Sequence, residues 1–183
     1  MKDERLTGKK SNIALIGFMG VGKSAVGKEL TAKLGKQLVE VDSLIVQKAG
    51  KSIPEIFQAG EIAFRELEIE VIKEIFSLKN QVIACGGGVV LNKINVDRLR
   101  QDAVVVWLTA SPSIILKRVR QDGVNRPLLN TNSKIEDIRS LLKFRMPYYE
   151  RAADIKINAV GLTIDEVVSQ ILIKLKENAS NYP

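Results

Sequence analysis

Apolar residues along this chain fall into two kinds of segment that alternate with each other. Short apolar-rich segments predict strands at residues 12–16, 37–41, 81–85, 103–108 and 154–158, and the unbroken run at 103–108 is typical of a strand covered on both faces. Segments whose apolar residues recur every three or four positions predict helices at residues 25–34, 43–49, 53–59, 61–78, 92–101, 112–121, 134–152 and 164–177. Strands alternating with helices indicate an α/β domain with a parallel sheet.

The polar segments set the limits of this domain. Residues 122–132 contain glycine, asparagine and proline without periodicity, so we predict a mobile lid loop there. We expect one domain for a chain of 183 residues, with a folded core at 11–177. The polar ends, 1–10 and 178–183, are predicted to be flexible tails.

The segment between the first predicted strand and helix, Gly17–Ser24 (GFMGVGKS), fits the phosphate-binding P-loop pattern G-x-x-x-x-G-K-[ST]. Glycines let backbone amides reach phosphate oxygens, and the following helix points its positive dipole end at the same anion. Lys23 would contact the outer phosphates, and Ser24 would offer its hydroxyl to Mg²⁺. The alternative is a turn that binds nothing, but the strand–loop–helix context favours a nucleoside triphosphate.

Four features of the chain follow predicted strands. They are the P-loop, Glu40 with Asp42, the triple glycine Gly86–Gly88, and the loop after Leu108. Ligands of open parallel sheets bind at the carboxyl ends of the strands, so we expect these features to converge there.

Asp42 is the candidate for handling an acceptor hydroxyl. Strand alternation would place Glu40 and Asp42 on one side of an extended segment. A carboxylate there can orient a hydroxyl and take its proton during attack. Alternatively, Asp42 caps the N-terminus of the next helix.

Three arginines are candidates for binding anionic groups. Arg65 and Arg145 could hold a substrate carboxylate, because a guanidinium matches its two oxygens. Arg65 could instead form an ion pair with Glu68 or Glu61 along its helix. Arg126, in the predicted lid, could neutralise charge on a transferred phosphoryl group or simply face solvent.

The triple glycine leaves three positions without side chains, so backbone can approach a ligand closely. A tight turn is the alternative, although one glycine would satisfy it. Cys85, just before this segment, is predicted to be a small buried apolar residue and not a nucleophile.

The amino-acid composition limits the kinds of catalytic and metal site that the chain can form. The chain has 28 Lys and Arg against 21 Asp and Glu, no histidine and one cysteine, which excludes histidine catalysis, an intramolecular disulfide and a cysteine-based metal site. The net charge of +7 suits anionic ligands, and the scattered basic residues make nucleic acid a weaker interpretation. Without a signal peptide or a membrane-length apolar run, we expect a soluble cytoplasmic protein.

Together these motifs resemble the shikimate kinase family over roughly residues 12–175. The triple glycine, F-R-x-x-E and R-P-L-L are specific to this family. The matching segments in family order are Gly17–Ser24, Val41-Asp42, Gly50–Ile53, Ile56-Phe57, Gly60-Glu61, Phe64–Glu68, Gly86–Gly88, Arg126–Leu129, Arg145 and Pro147–Tyr149.

The resemblance implies a three-layer αβα P-loop fold with a five-stranded parallel sheet, a lid loop and substrate-binding helices. It implies ATP-dependent phosphorylation of the shikimate 3-hydroxyl, a step toward chorismate and the aromatic amino acids. Mg²⁺ would be the cofactor, ATP and shikimate the only partners, and the protein a monomer bound to neither nucleic acid nor membrane.

The resemblance also implies residue roles. Asp42 would contact the reacting hydroxyl, Arg65 and Arg145 the shikimate carboxylate, and Gly87 and Gly88 the substrate ring and carboxylate. The residues implied for ATP are Gly20, Val21, Gly22, Lys23, Ser24, Ala25, Arg126 and Arg118.

Two of the positions differ from, or are uncertain in, the family pattern. Arg118 would pack on adenine, although Arg120 competes for this role. Glu40 stands where the family usually has aspartate near Mg²⁺, and glutamate is one methylene longer, so a water-mediated role carries over to it only weakly.

Other functions remain open at this point. The chain could be another small-molecule P-loop kinase, acting on gluconate or a nucleoside monophosphate, or a nucleotide-binding regulator without catalysis. The paired arginines favour a carboxylate acceptor, and the intact Lys23, Asp42 and Arg126 favour catalysis.

Overall fold

A computed structural model of the chain describes residues 10–122, 129 and 134–180. Its strands are β1 (Asn12–Ile16), β2 (Gln37–Glu40), β3 (Gln81–Ala84), β4 (Ala103–Thr109) and β5 (Ile155–Asn158). They form one sheet in the order β2-β3-β1-β4-β5, and every neighbouring pair is parallel. The predicted five-stranded parallel sheet is confirmed.

Helices follow the strands along the chain. They are α1 (Lys23–Leu34), α2 (Val41–Ala49), α3 (Ile53–Gln58), α4 (Glu61–Ile75), α5 (Lys93–Asp102), α6 (Pro112–Asp122), α7 (Ile135–Ala152) and α8 (Ile164–Ser180). A short 3₁₀ helix, Val89–Leu91, follows the triple glycine. No helix among the described residues is long and apolar enough to cross a membrane.

Two apolar clusters lie on opposite faces of the sheet. Alternate residues of β1 belong to the two clusters, with Ile13 and Leu15 in one and Ala14 and Ile16 in the other. Helices α1, α6 and α8 cover the first cluster, α2 to α5 cover the second, and α7 contributes to both. This arrangement is the three-layer αβα fold expected from the resemblance.

The junction between β2 and α2 differs from the sequence prediction. The strand was expected to continue through Val41, but it ends at Glu40 and Val41 begins the helix. Val41 and Ile45, four residues apart, are both fully buried in the second cluster, so packing favours a helical turn there. Asp42 therefore lies in the first turn of α2 and not on an extended strand.

Other element ends shift by a few residues. The helix expected at 61–78 ends at Ile75, and the C-terminal helix extends to Ser180, three residues into the predicted tail. The remaining predicted tails, 1–9 and 181–183, lie outside the described residues.

The predicted lid is described only at its first residue, where α6 ends, and at Leu129. Leu129 is only 3% exposed and belongs to the first apolar cluster, so this residue of the predicted lid is part of the core. Leucine between polar neighbours carries no periodic signal from which its burial could be recognised.

Candidate active site

The carboxyl ends of the central strands open into one cavity of about 720 Å³. The P-loop, the junction between β2 and α2, and Gly87 all contribute to its wall. Every predicted ATP-binding residue from Gly20 to Ala25 lines it as well. The cavity lies where open parallel sheets bind their ligands.

The P-loop is shaped by its first glycine. Gly17 follows β1 with a φ of +141°, and a Cβ there would lie 2.4 Å from the carbonyl oxygen of Leu108 in β4. A side chain at this position would strain the backbone and clash with the neighbouring strand, so only glycine fits. The loop then leads directly into α1, whose N-terminus supplies unpaired amides and a positive dipole end for an anion.

Lys23 lies over this loop. Its Nζ donates hydrogen bonds to the carbonyl oxygens of Gly17 and Phe18, at 2.9 and 3.0 Å. The next residues, Ser24 and Ala25, are exposed on the cavity wall. The ammonium and the hydroxyl are thus presented from one helical turn toward the same space.

Glu40 and Asp42 both line the cavity, as predicted, although not on the same strand. Glu40 ends β2 and is the N-cap of α2, without a side-chain capping bond. The alternative in which Asp42 is the cap is therefore wrong. Asp42 is exposed in the first turn of the helix, where a carboxylate is favoured by the helix dipole.

The triple glycine lies close to two of the predicted site side chains and to the backbone of the P-loop. A Cβ at Gly88 would lie 2.2 Å from Nη2 of Arg65, and one at Gly86 would lie 2.8 Å from Oδ1 of Asp42. Gly87 approaches the P-loop, since a Cβ there would lie 3.1 Å from the amide nitrogen of Met19. These contacts explain why a single glycine would not suffice in this segment.

Arg65 forms the ion pairs that sequence spacing suggested. Its Nη2 lies 2.8 Å from Oε1 of Glu61, and its Nη1 lies 3.1 Å from Oε2 of Glu68. The ion-pair alternative is therefore realised on α4. It does not remove the guanidinium from the site, because the same group lies against Gly88.

Burial and the ion pairs shift the pKa values of these groups in a coupled way. Burial raises the pKa of the fully buried Glu68 to about 7, and the nearby Arg65 opposes part of that rise. Burial alone would lower the pKa of Arg65, but the carboxylates of Glu68 and Glu61 outweigh it and raise the pKa. Arg65 therefore stays charged, which binding of a carboxylate would require.

Arg145 reaches the same segment from α7. It is 2% exposed, and its Nη1 donates to the carbonyl oxygen of Gly87 at 3.3 Å. Its guanidinium lies over the Phe18 ring, 5.7 Å from the ring centroid, and its Nε is buried without a partner among the described residues. Burial lowers the pKa of Arg145. An arginine buried in this way favours an anionic ligand, because an anion would stabilise its charge.

Arg118, the arginine predicted to pack on adenine, lies beside the P-loop. Arg118 lines the cavity, and its Nη1 donates to the carbonyl oxygens of Gly20 and Val21 at 3.0 Å each. Arg120 is exposed and does not line this cavity. Arg126 lies outside the described residues.

Sequence reasoning missed three residues that shape the site. Glu68 was named as part of the F-R-x-x-E motif and as an ion-pair partner of Arg65, but its burial was not predicted. Phe18 was an unspecified position of the P-loop, and Tyr149 donates its hydroxyl to the same Gly87 oxygen as Arg145. The i, i+4 spacing of Arg145 and Tyr149 on one helical face was the available signal. Cys85 is buried and burial raises its pKa, in line with the predicted apolar role.

Comparisons with known proteins give a consistent result. The family model described as shikimate kinase matches residues 19–176. The shikimate kinase of Thermodesulfovibrio yellowstonii is 49% identical over 171 residues, which are 93% of this chain and 97% of that protein. That of Symbiobacterium thermophilum is 40% identical over 168 residues, covering 91% and 97% of the two chains.

Comparison with solved structures shows which proteins share the fold of this chain. Shikimate kinase from Acinetobacter baumannii in complex with shikimate superposes with a TM-score of 0.87 at 36% identity, over 92% of this chain and 94% of that one. A gluconokinase from Sinorhizobium meliloti has a TM-score of 0.59 at 17% identity over 94% and 95% of the chains, and so shares the fold alone. The site geometry, the family model and these relatives agree, and the chain belongs to the shikimate kinase family.

Proposed function

We propose that the chain transfers the γ-phosphoryl group of ATP to the 3-hydroxyl of shikimate, giving shikimate 3-phosphate and ADP. One observation carries the proposal. The triple glycine joins a phosphate-binding cavity to two arginines, Arg65 and Arg145, that reach it from separate helices. The pair predicts an anionic acceptor, and the choice of shikimate over gluconate or a nucleoside monophosphate is supported by the relatives named shikimate kinase.

The nucleotide would bind along the P-loop. Backbone amides at the start of α1 would donate to the phosphates, and Lys23 would exchange its two carbonyl partners for phosphate oxygens. Arg118, fixed by two carbonyl oxygens of the loop, would present its guanidinium plane to adenine. Arg126 is assigned to the phosphates by the family pattern alone.

The donor set of the cavity fits Mg²⁺. Ser24 and Glu40 line it and offer hard oxygen ligands, whereas no group of three or more Asp, Glu, Cys or His residues within the described ranges could enclose a metal. This matches an ion held mainly by phosphates and water. Ser24 would bind it directly and Glu40 through water, and the ion, when bound, would neutralise charge on the phosphates.

Asp42 would act on the acceptor. From the first turn of α2 it can accept a hydrogen bond from the 3-hydroxyl, orient that oxygen toward the phosphoryl group and take its proton. Most of the rate enhancement would come from positioning and charge neutralisation.

The acceptor carboxylate would lie between Arg65 and Arg145. The guanidinium groups of Arg145 and Arg65 would share its two oxygens, giving charge-assisted bonds. Gly87 and Gly88, without side chains, would let the substrate ring and carboxylate contact the backbone. We further infer a single kinase domain that works as a monomer, because one chain supplies every residue assigned here. A cytoplasmic location is inferred from membership of the family.

A coupled assay of ADP release tests the proposal. We expect turnover with shikimate and ATP, and little with gluconate or a nucleoside monophosphate as acceptor. Turnover on either alternative without turnover on shikimate would assign the other kinase class, and no turnover with any acceptor would favour a regulator.

The variant Asp42→Asn isolates the acceptor step. Nucleotide affinity should persist while kcat falls about 100-fold or more, because the hydroxyl loses its base. Asp97→Asn is the matched control, since within the described ranges Asp97 pairs only with exposed Lys93 on α5, and its loss should leave kcat unchanged.

A further inference from the structure

A second cavity, of about 340 Å³, lies at the β4–β5 edge of the sheet between α6 and α7. Its volume is within the range of small-molecule sites. Of the residues assigned to phosphoryl transfer, only Val21 also lines it. The proposed phosphoryl transfer therefore gives this cavity no occupant.

The inner wall of this cavity is aromatic. The rings of Trp107 and Tyr149 stack at 5.6 Å with an angle of 17° between their planes, and Phe18 adds a third ring. Ile115 and Leu142 supply further apolar surface. Such a wall favours a flat, apolar ligand body.

The rim of the cavity is cationic. Arg139, Lys143 and Lys156 line it, and no Asp or Glu appears among its described lining residues. Arg139 approaches Glu136 at 3.8 Å, whereas Lys143 and Lys156 form no ion pair with any carboxylate in the described part of the chain. The Nζ of Lys156 lies 4.3 Å from the centroid of the Trp107 ring. A carboxylate beside that ring would therefore meet an ammonium group.

We propose that this cavity binds a small aromatic carboxylate and that its occupancy changes acceptor binding. Two aromatic residues connect this cavity to the proposed acceptor site. Phe18 lies under the Arg145 guanidinium, and Tyr149 and Arg145 both donate to the Gly87 carbonyl oxygen. A ligand that moves either ring moves Arg145. This second half rests on the proposed kinase function, but the binding half does not.

The chain has a single tryptophan, so fluorescence of Trp107 reports on this cavity directly. The probes are phenylacetate, its neutral analogue phenylacetamide, and acetate, each titrated with shikimate saturating so that Arg65 and Arg145 are occupied. We expect a saturable change with phenylacetate, about tenfold weaker binding of phenylacetamide because the charge is lost, and no effect of acetate. Equal binding of the acid and the amide, or no saturation, would overturn the proposal.

Two sets of lysine substitutions test where phenylacetate binds. The double variant Lys143→Gln/Lys156→Gln should weaken phenylacetate binding about tenfold, and Lys73→Gln, an exposed lysine on α4 outside the cavity, should not. Unchanged binding in the double variant would place phenylacetate elsewhere and refute the assignment.

The coupling is measured as the KM for shikimate with and without phenylacetate. We expect a shift in wild type that disappears in the double variant, whereas direct competition for Arg65 and Arg145 would persist in both. A KM unaffected by a bound probe would refute the coupling. The two failures are distinct, since absent turnover would refute the kinase function while leaving the fluorescence titration decisive for the cavity.

Discussion

The carboxylate of Glu68 and the guanidinium of Arg65 form an ion pair 3.1 Å long across one turn of α4, with Glu68 fully buried. The pair also touches the triple glycine, because a Cβ at Gly86 would lie 3.1 Å from Oε1 of Glu68. A buried carboxylate thus fixes the orientation of a residue assigned to the acceptor. Such a pair contributes orientation more than stability, since desolvation opposes much of the attraction.

Stability should fall with pH in the range where Glu68 ionises. Its pKa is raised from 4.5 to about 7 in the folded protein, so the folded state holds this proton more tightly than the unfolded chain. Unfolding therefore releases a proton between these values, and the free energy of unfolding should decrease by about 3 kcal/mol from pH 4.5 to pH 7 through this group. Urea denaturation at several pH values measures it.

The variant Glu68→Gln removes this ionisation. The difference in unfolding free energy between wild type and Glu68→Gln should move in favour of the variant as pH rises through that window. Glu66→Gln, on the exposed side of the same helix, should show no such trend. A wild-type stability that rises relative to Glu68→Gln over the same window would show that the ion pair outweighs burial.

Gly88→Ala should weaken acceptor binding selectively. The new Cβ would lie 2.2 Å from Nη2 of Arg65, so the guanidinium must move away from the glycine segment. We expect the KM for shikimate to rise about tenfold, because a charge-assisted contact is lost, with the KM for ATP unchanged. Steady-state kinetics with each substrate varied in turn distinguishes the two effects.

Gly35→Ala is the matched control for this prediction. Gly35 has a φ of +65° at the end of α1, and a Cβ there would meet nothing within 4 Å. It should cost about 1 kcal/mol of stability through backbone strain and leave both KM values alone. An equal rise in the KM for shikimate in both variants would indicate a general effect of destabilisation.

The sheet and the P-loop could be predicted because their signals are local. The run at 103–108 is apolar throughout because β4 is covered on both faces. The glycines of the P-loop are required by the backbone geometry of a segment of eight residues, so the motif can be recognised locally. The convergence of Asp42, the P-loop and Gly87 on one cavity followed from strand order in a parallel sheet. The loop after Leu108 was expected there too, but Thr109 and Ala110 line the second cavity instead.

The features that could not be predicted depend on neighbours distant in sequence. Glu68 has the spacing of an exposed helical ion pair, but its side chain is buried against the glycine segment, which is distant in sequence. Asp42 lies on a helix because Val41 and Ile45 meet the second apolar cluster. The local sequence around residue 41 suits a strand as well as a helix, and tertiary packing decides between the two.

Asn95→Leu should stabilise the protein. Asn95 is fully buried in α5, and neither of its side-chain polar atoms has a hydrogen-bond partner among the described residues. Replacing the amide with an apolar group of similar size should raise the free energy of unfolding by about 1 kcal/mol, since unsatisfied buried polar groups are costly. Chemical denaturation measures the change.

Asn92→Leu provides a control of opposite sign on the same helix. The Asn92 side chain accepts a hydrogen bond from the amide of Ile94 as the N-cap of α5, so its loss should cost about 1 kcal/mol. A destabilised Asn95→Leu variant would mean that ordered water satisfies the Asn95 amide.

Arg145→Lys should impair acceptor binding although it keeps the charge. Arg145 is buried, donates to the Gly87 oxygen and lies over Phe18, and a lysine ammonium cannot reproduce the planar fork. We expect kcat/KM for shikimate to fall about 100-fold, mainly through KM, while nucleotide affinity is retained. Arg151→Lys, on the exposed side of α7 where Arg151 lies 4.9 Å from the Tyr148 ring, should leave the kinetics unchanged. If Arg145→Lys kept the wild-type KM for shikimate, the carboxylate would have to bind elsewhere and the buried arginine would serve only to hold the glycine segment in place.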